Sequence, residues 1–273
     1  MRRAPWLVAS LASVVAACSS GGTTALPTDA PTAGRTTPVS LVVFAAASLG
    51  DALEVATATY SEAKPGTTIQ ISADSSATLR TQIEQGAPAD LFLSADTRNP
   101  QALVDAGLAD GPPVPFAGNT LTIIVPISNP AGIRSPVDLA RAGVKVIAAG
   151  DEVPITGYTS DLIDRLSASD GYPEGFAAAL AANVVSKEDN VSAIVTKVGL
   201  GEGDVGIVYL SDVHGRADVT MIPIQDDLNV TATYAGVVVK ASTNVAAAHA
   251  FLGWLAGPNG QAALSTFGFA PPG

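Results

Sequence analysis

From Val39 onward the chain repeats one pattern: a short run of Val, Ile and Leu, then a longer amphipathic stretch, then another run. Continuous runs such as "SLVVFAA", "VKVIAA" and "VGIVYL" suit strands that are covered on both faces, as in a parallel sheet flanked by helices. "LGDALEVATATYSEA", "SATLRTQIEQG" and "NVSAIVTKVGLGEG" have helical length and supply that cover. With "TTIQISA", "ADLFLSA", "LTIIVP", "DVTMIP" and "AGVVVK", eight strands are expected, and the class is α/β. "LTIIVP" follows "PPVPFAGN" without an intervening helix, and "TATYAGVVVK" also lacks one before it. Two such places mark two crossings between two lobes, one of residues 39–119 plus 232–273 and one of 120–231. A cleft between hinged lobes is a natural ligand site.

The first 38 residues read differently. Arg2 and Arg3 precede an apolar run from Trp6 to Ala17, which is too short for an ordinary spanning helix and has the form of a secretory leader, 1–17. Directly behind "VVAA" stands Cys18, the one cysteine of the chain, so no disulfide framework exists. Cleavage before such a cysteine resembles a bacterial lipoprotein signal, which implies lipidation of Cys18 and anchoring at the extracytoplasmic side of the cell membrane. Residues 18–38, rich in Ser, Thr, Gly and Pro, cannot offset their ordering entropy by burial and are expected to form a flexible tether.

Formal charge is −11 over 273 residues and falls to −13 once Arg2 and Arg3 leave with the leader. That balance argues against nucleic acid, whose binding rests on Lys and Arg neutralising phosphates. A small anion remains possible if local dipoles hold it. In open parallel sheets ligands collect where strands end and helices begin, and four such junctions recur here. Ser48 follows the first strand, with Asp51 three residues on in the pattern of a capping box. Ser75 and Ser76 precede "ATLR", "VPITGY" opens another helix, and Asn190 is placed to cap a helix that begins at Val191. Each helix start offers free amides and the positive end of a dipole, so together they form an anion site without a cation. Fixed amides and hydroxyls select by geometry and favour a fully deprotonated oxyanion, because a protonated one brings a hydrogen that finds no acceptor.

"VFAAASLGDAL", "QIEQGAPADLFLSAD", "VPITGY", "EDNVSAIV" and "VGIVYLSD", in this order, resemble the molybdate-binding components of bacterial molybdate ABC transporters. The match runs from about Val39 to "GPNGQAALSTFGF". The resemblance implies a two-lobed, hinge-bending binding protein of the type II periplasmic class. It implies no enzyme activity and no cofactor, with molybdate, and also tungstate, as ligand. It further implies a monomer that passes its anion to a membrane permease and its ATPase. Carried position by position, it places ligand contacts at the hydroxyls of Ser48 and Ser76, the amides of Ile155 and Val191, and the hydroxyl of Tyr209. Asp74 departs from the pattern, and is expected to face solvent or cap the next helix, since a carboxylate aimed at the cleft would oppose an anion. Thr156 and Gly157 invert the familiar order of that turn.

Other residues carry weaker signals. His214 and His249 lack metal-ligand spacing, Asp161 and Asp164 suit a solvated helix face, and Glu202 and Asp204 flank the glycines of a turn. The alternatives to molybdate are another tetrahedral oxyanion such as sulfate, or an extracytoplasmic ester hydrolase, for which no nucleophile with a base is evident. A ligand-sensing domain of a transcription regulator shares the architecture but not the export signal.

Overall fold

The computed structural model describes residues 38–273, so the expected leader, Cys18 and nearly all of the tether lie outside the described residues. The chain opens with β1 (Val39–Ala46), α1 (Gly50–Ala63), β2 (Thr67–Asp74), α2 (Ser76–Glu84), β3 (Leu91–Ser94) and α3 (Arg98–Asp105). The long β4 (Val114–Pro126) leads to β5 (Val146–Ala149), α4 (Pro154–Ser167), α5 (Phe176–Ala182), β6 (Val184–Glu188), α6 (Val191–Gly199) and β7 (Val205–Tyr209). The chain closes with β8 (Val219–Ile222), β9 (Thr231–Val238), α7 (Val245–Ala256) and α8 (Pro258–Ser265).

The strands join in the order β2-β1-β3-β9-β4-β7-β5-β6, with β8 also paired to β4. β1 is parallel to β2 and β3, and β5 is parallel to β6 and β7. Every antiparallel pair involves β4 or β9; β9 follows β8 with no helix between them, whereas β4 follows α3, because "VPFAGN" and "LTIIVP" form one continuous strand. The result is a two-lobed α/β fold in which two parallel groups, flanked by helices, meet through β4 and β9. β4 changes partners midway: Val114–Thr120 pair with β9, whereas Leu121–Ile124 pair with β7. A register shift between Pro115 and Ala117 leaves the buried Phe116 as the extra residue of a bulge. Leu121 stands opposite Tyr209, so the last residue of β7 sits at the point where β4 passes from one group to the other.

Burial explains why the helices lie where they do. On α6, Val191, Ile194, Val195 and Val198 form one buried stripe at helical spacing. Four such side chains contribute about 1.5–3 kcal/mol each on burial, against about 1 kcal/mol for a cap, so packing places the helix and Asn190 only fixes where it starts. Gly206 in β7 permits this packing, because a Cβ there would stand 2.6 Å from Ile194 Cγ2. At Gly118 a Cβ would meet the Pro271 carbonyl at 2.7 Å, and the bare backbone instead bonds Ala270 in both directions. The C-terminal segment is thereby held against β4. α1 turns Ala52, Leu53, Ala56 and Tyr60 inward, and the Tyr60 ring meets Phe251 and Trp254 of α7 edge-on.

Two expectations are corrected. A ninth strand, β6, was not anticipated, since "VVSKE" alternates between exposed and partly buried positions as an edge strand and lacks a continuous apolar run. Ser48 does not cap a helix: it lies inside a 3-10 turn, Ala47–Leu49, and the helix that follows has Leu49 at its N-cap, with no side-chain cap. Its hydroxyl is taken up elsewhere, as described next.

Candidate functional site

The carboxyl ends of the parallel strands all point to one region. There a narrow pocket is lined by Ser48 after β1, Ser76 after β2, Ile155 after β5, Val191 after β6 and Tyr209 at the end of β7. Its free space is about 10 Å³, the lower bound for one water, so a tetrahedral oxyanion enters only as the lining donors move apart. The five positions that the resemblance implied are therefore brought together, although Ser48 and Tyr209 lie 161 positions apart in sequence. No Lys, Arg, Asp or Glu is among the described residues that line the pocket.

Each element presents a different donor. Ser76 is the first residue of α2, behind Ser75 at the N-cap. Ile155 is the second residue of α4, after Val153 at the N-cap and Pro154, which has no N–H to lose. Its amide is thus in the first turn, where no helical acceptor exists. The inverted Thr156-Gly157 pair does not displace this turn, because Thr156 is held by its hydroxyl to the Gly150 carbonyl at 2.7 Å. Val191 opens α6, and Asn190 caps it by accepting the Ala193 amide at 3.1 Å. Three helix N-termini therefore converge, and their dipoles favour negative charge between them.

The Tyr209 hydroxyl is the sharpest feature. It is fully buried and has no hydrogen-bond partner among the described residues, a costly state for a polar group. Burial, with the neighbouring Tyr234 and Tyr158 phenols and the Asp212 and Asp96 carboxylates, pushes its pKa well above the ordinary phenol value. It remains a protonated donor. The ring is held edge-on to Tyr234 at 5.5 Å and to Tyr158 at 6.4 Å, so the hydroxyl has little freedom to turn elsewhere.

Both serine hydroxyls are engaged within the protein. Ser76 Oγ accepts the Ala95 amide at 3.1 Å. Ser48 Oγ lies 2.8 Å from the Tyr234 hydroxyl, which in turn lies 3.5 Å from Asn119 Nδ2, and Asn119 Nδ2 also donates to Ser211 Oγ at 2.8 Å. Asn119, Ser211 and Tyr234 were not anticipated from the sequence. The one signal was a lone Asn in the apolar run that becomes β4, and its role depends on residues 92 and 115 positions away.

Asp74 is corrected as well. It is half-exposed and gives α2 no side-chain cap: its Oδ1 accepts both the Ser75 amide and the Asn190 side chain. On the far side of Ser48 lies a polar cavity of about 230 Å³ that also meets Asp51, Asp212 and Arg216. A cleft of about 190 Å³ under α4 shares Ile155 but is walled mainly by aliphatic side chains, which suit no anion. His249 pairs with Asp110 at the surface, His214 lies beside the Phe267 ring, and Asp161 and Asp164 are exposed on α4. Asp204 accepts the Lys145 amide in the turn before β7, and Glu202 is exposed.

Residues 41–270 match the family model described as bacterial extracellular solute-binding protein. The chain is similar to the molybdate-binding protein ModA of Mycobacterium tuberculosis, at 34% identity over 97% of this chain and 95% of the relative. Among solved structures it resembles the substrate-binding domain of a putative molybdenum ABC transporter from Clostridium difficile, at 27% identity and a TM-score of 0.64, covering 86% of this chain and 100% of that one. The sulfate-binding protein SubI of Mycobacterium tuberculosis has a TM-score of 0.76 at 23% identity, over 85% of this chain and 87% of its own, and shares the fold.

Proposed function

We propose that this chain, which belongs to the bacterial extracellular solute-binding protein family and within it to the group of the ModA molybdate-binding proteins, captures molybdate in the pocket between Ser48, Ser76, Ile155, Val191 and Tyr209. As a member of that family it is a binding protein and not an enzyme. The observation that carries the ligand assignment is the buried Tyr209 hydroxyl without a partner, in a pocket of converging N–H and O–H groups and no cation.

A tetrahedral dianion offers four oxygens that only accept. Amides of Ile155 and Val191 and hydroxyls of Ser48, Ser76 and Tyr209 would each meet one of them, and the dianion would give Tyr209 the hydrogen bond it lacks. Such dipoles stabilise charge without the strong hydration of a lysine, so the anion is held by fit and can leave when the donors separate. The reading extends to tungstate, which has the same shape and charge. In this reading the lobes 39–119 plus 232–273 and 120–231 close on the anion by hinge motion. The chain, a monomer tethered through lipidated Cys18, then delivers it to a permease with its ATPase.

Calorimetric titration of the purified protein with molybdate, tungstate, sulfate and phosphate tests the assignment. Tight binding of molybdate and tungstate with weak or no response to the other two is expected. Clear sulfate binding without molybdate binding would reject it.

A further inference from the structure

We propose that Tyr234 is a positioning residue for the anion site: its hydroxyl donates to Ser48 Oγ and thereby turns the Ser48 proton toward the pocket. This rests on the molybdate reading above, and it concerns a residue that does not itself line the pocket.

Hydrogen-bond accounting fixes the direction of the chain. Asn119 Oδ1 accepts the Thr120 amide at 3.0 Å, so the other end of that side chain must be its NH2 group. That group faces Ser211 Oγ at 2.8 Å and the Tyr234 oxygen at 3.5 Å, so it presents Tyr234 with a donor. The Tyr234 proton therefore cannot point at Asn119. The Ser48 oxygen, at 2.8 Å, is the acceptor left to it. Tyr234 is fully buried between Phe116, Tyr209 and Phe269, all edge-on to its ring. Burial and the Asp212 carboxylate push its pKa well above the ordinary phenol value, so the proton stays in place.

With Tyr234 donating, the Ser48 hydroxyl cannot turn its own proton back along that line. Its O–H is then free to meet an anion in the pocket, as the Ala95 amide leaves the Ser76 O–H free for the same pocket. Both serines then act as donors set before the anion arrives. The consequence is selectivity by protonation state. Hydrogenphosphate carries a proton that needs an acceptor, and a Ser48 free to rotate could offer one, whereas a Ser48 fixed by Tyr234 opposes it with another hydrogen.

Tyr234→Phe keeps the ring and removes only the hydroxyl. Titration of the full chain at neutral pH with molybdate and with inorganic phosphate, as wild type, Tyr234→Phe, Ser48→Ala and the double variant, tests the proposal. The expected result is that Tyr234→Phe lowers molybdate affinity by roughly fivefold to tenfold and narrows the molybdate-to-phosphate ratio. In the Ser48→Ala background the same change should leave both affinities where they are. Equal losses in both backgrounds, or a lower melting temperature with the ratio unchanged, would make Tyr234 a packing residue and overturn the proposal. Asn119→Ala, which withdraws the donor facing Tyr234, provides an independent variant expected to narrow the same ratio; an unchanged ratio in a folded protein would also overturn it. Wild-type protein that binds no molybdate overturns the function itself, and wild-type binding that Ser48→Ala does not weaken removes Ser48 from the site; each differs from failure of the Tyr234 step alone.

Discussion

Asp74 and Asn190 are joined beside the pocket: Asp74 Oδ1 accepts the Asn190 side-chain amide at 3.3 Å while it holds the Ser75 backbone amide at 2.7 Å. The two residues precede α2 and α6, which follow strands of different sheet groups. One carboxylate oxygen thus ties two helix starts together. Asn190 is oriented for this, because its Oδ1 is already committed to capping α6.

If the groups separate to release the anion, that bond must break. Asp74→Ala is expected to raise the rate of molybdate release severalfold, in line with about 1 kcal/mol for a partly exposed charged hydrogen bond. Stopped-flow competition with excess tungstate would measure it. An unchanged release rate with a faster association rate would instead identify Asp74 as a repulsive charge that only slows arrival.

Ser76→Ala and Tyr209→Phe separate binding from stability. Each is expected to weaken molybdate affinity by about 1–3 kcal/mol, because each removes a buried donor from the anion. Ligand-free stability should respond differently. Tyr209→Phe removes a buried hydroxyl with no partner and should leave the melting temperature unchanged or slightly higher, whereas Ser76→Ala leaves the Ala95 amide without its acceptor and should lower it. Thermal melts with and without molybdate check both.

Much of the site was legible in the sequence because its donors come from local devices. A helix start at Ser76, Ile155 or Val191 is written in a few adjacent residues, and strand ends place such starts on one rim of a sheet. Ser48 shows where this stops. The sequence pattern with Asp51 pointed to a cap, yet the hydroxyl is claimed by Tyr234, 186 residues later. No local pattern encodes that pairing, which exists because β4 and β9 bring Asn119 and Tyr234 to the same crossing. Asp74 was legible only in part for the same reason, since its second partner, Asn190, belongs to the start of a distant helix. The strand β6 was missed because an edge strand needs no continuous apolar run.

Gly206 links core packing to the anion. Any side chain there meets Ile194 Cγ2, with Val198 Cγ2 at 3.3 Å as the next obstacle, and both of those residues are fully buried. Gly206→Val is expected to cost about 2–3 kcal/mol of stability through overpacking. It should also weaken molybdate binding, because lifting α6 from β7 displaces the Val191 amide. Urea denaturation and titration of one preparation would test the pair of effects. Lost stability with full affinity would show that the start of α6 is held by Asn190 and Asp74 rather than by its buried stripe.

Asp212 gives the pH dependence a sign. Its Oδ2 accepts the Tyr209 amide at 2.9 Å, and it borders the polar cavity behind Ser48. Burial first, and the Asp51 charge in addition, push its carboxyl up to about 7 against the opposing pull of that amide. A folded-state value above the unfolded one means that the folded protein keeps a proton the unfolded chain has lost. The contribution is fully present below about pH 3.8, falls as pH rises from there toward about 7, and levels off beyond. The residue retains some exposure, so the contribution is on the order of 1–2 kcal/mol rather than the full value of the shift. Ionisation also places a negative charge one hydrogen bond from Tyr209, so molybdate affinity should decline between pH 6 and 8. Asp212→Asn should flatten both profiles. Urea denaturation and titration at pH 5, 6, 7 and 8 on the two proteins would decide it, and a wild-type stability that rises over this interval would show that other groups dominate.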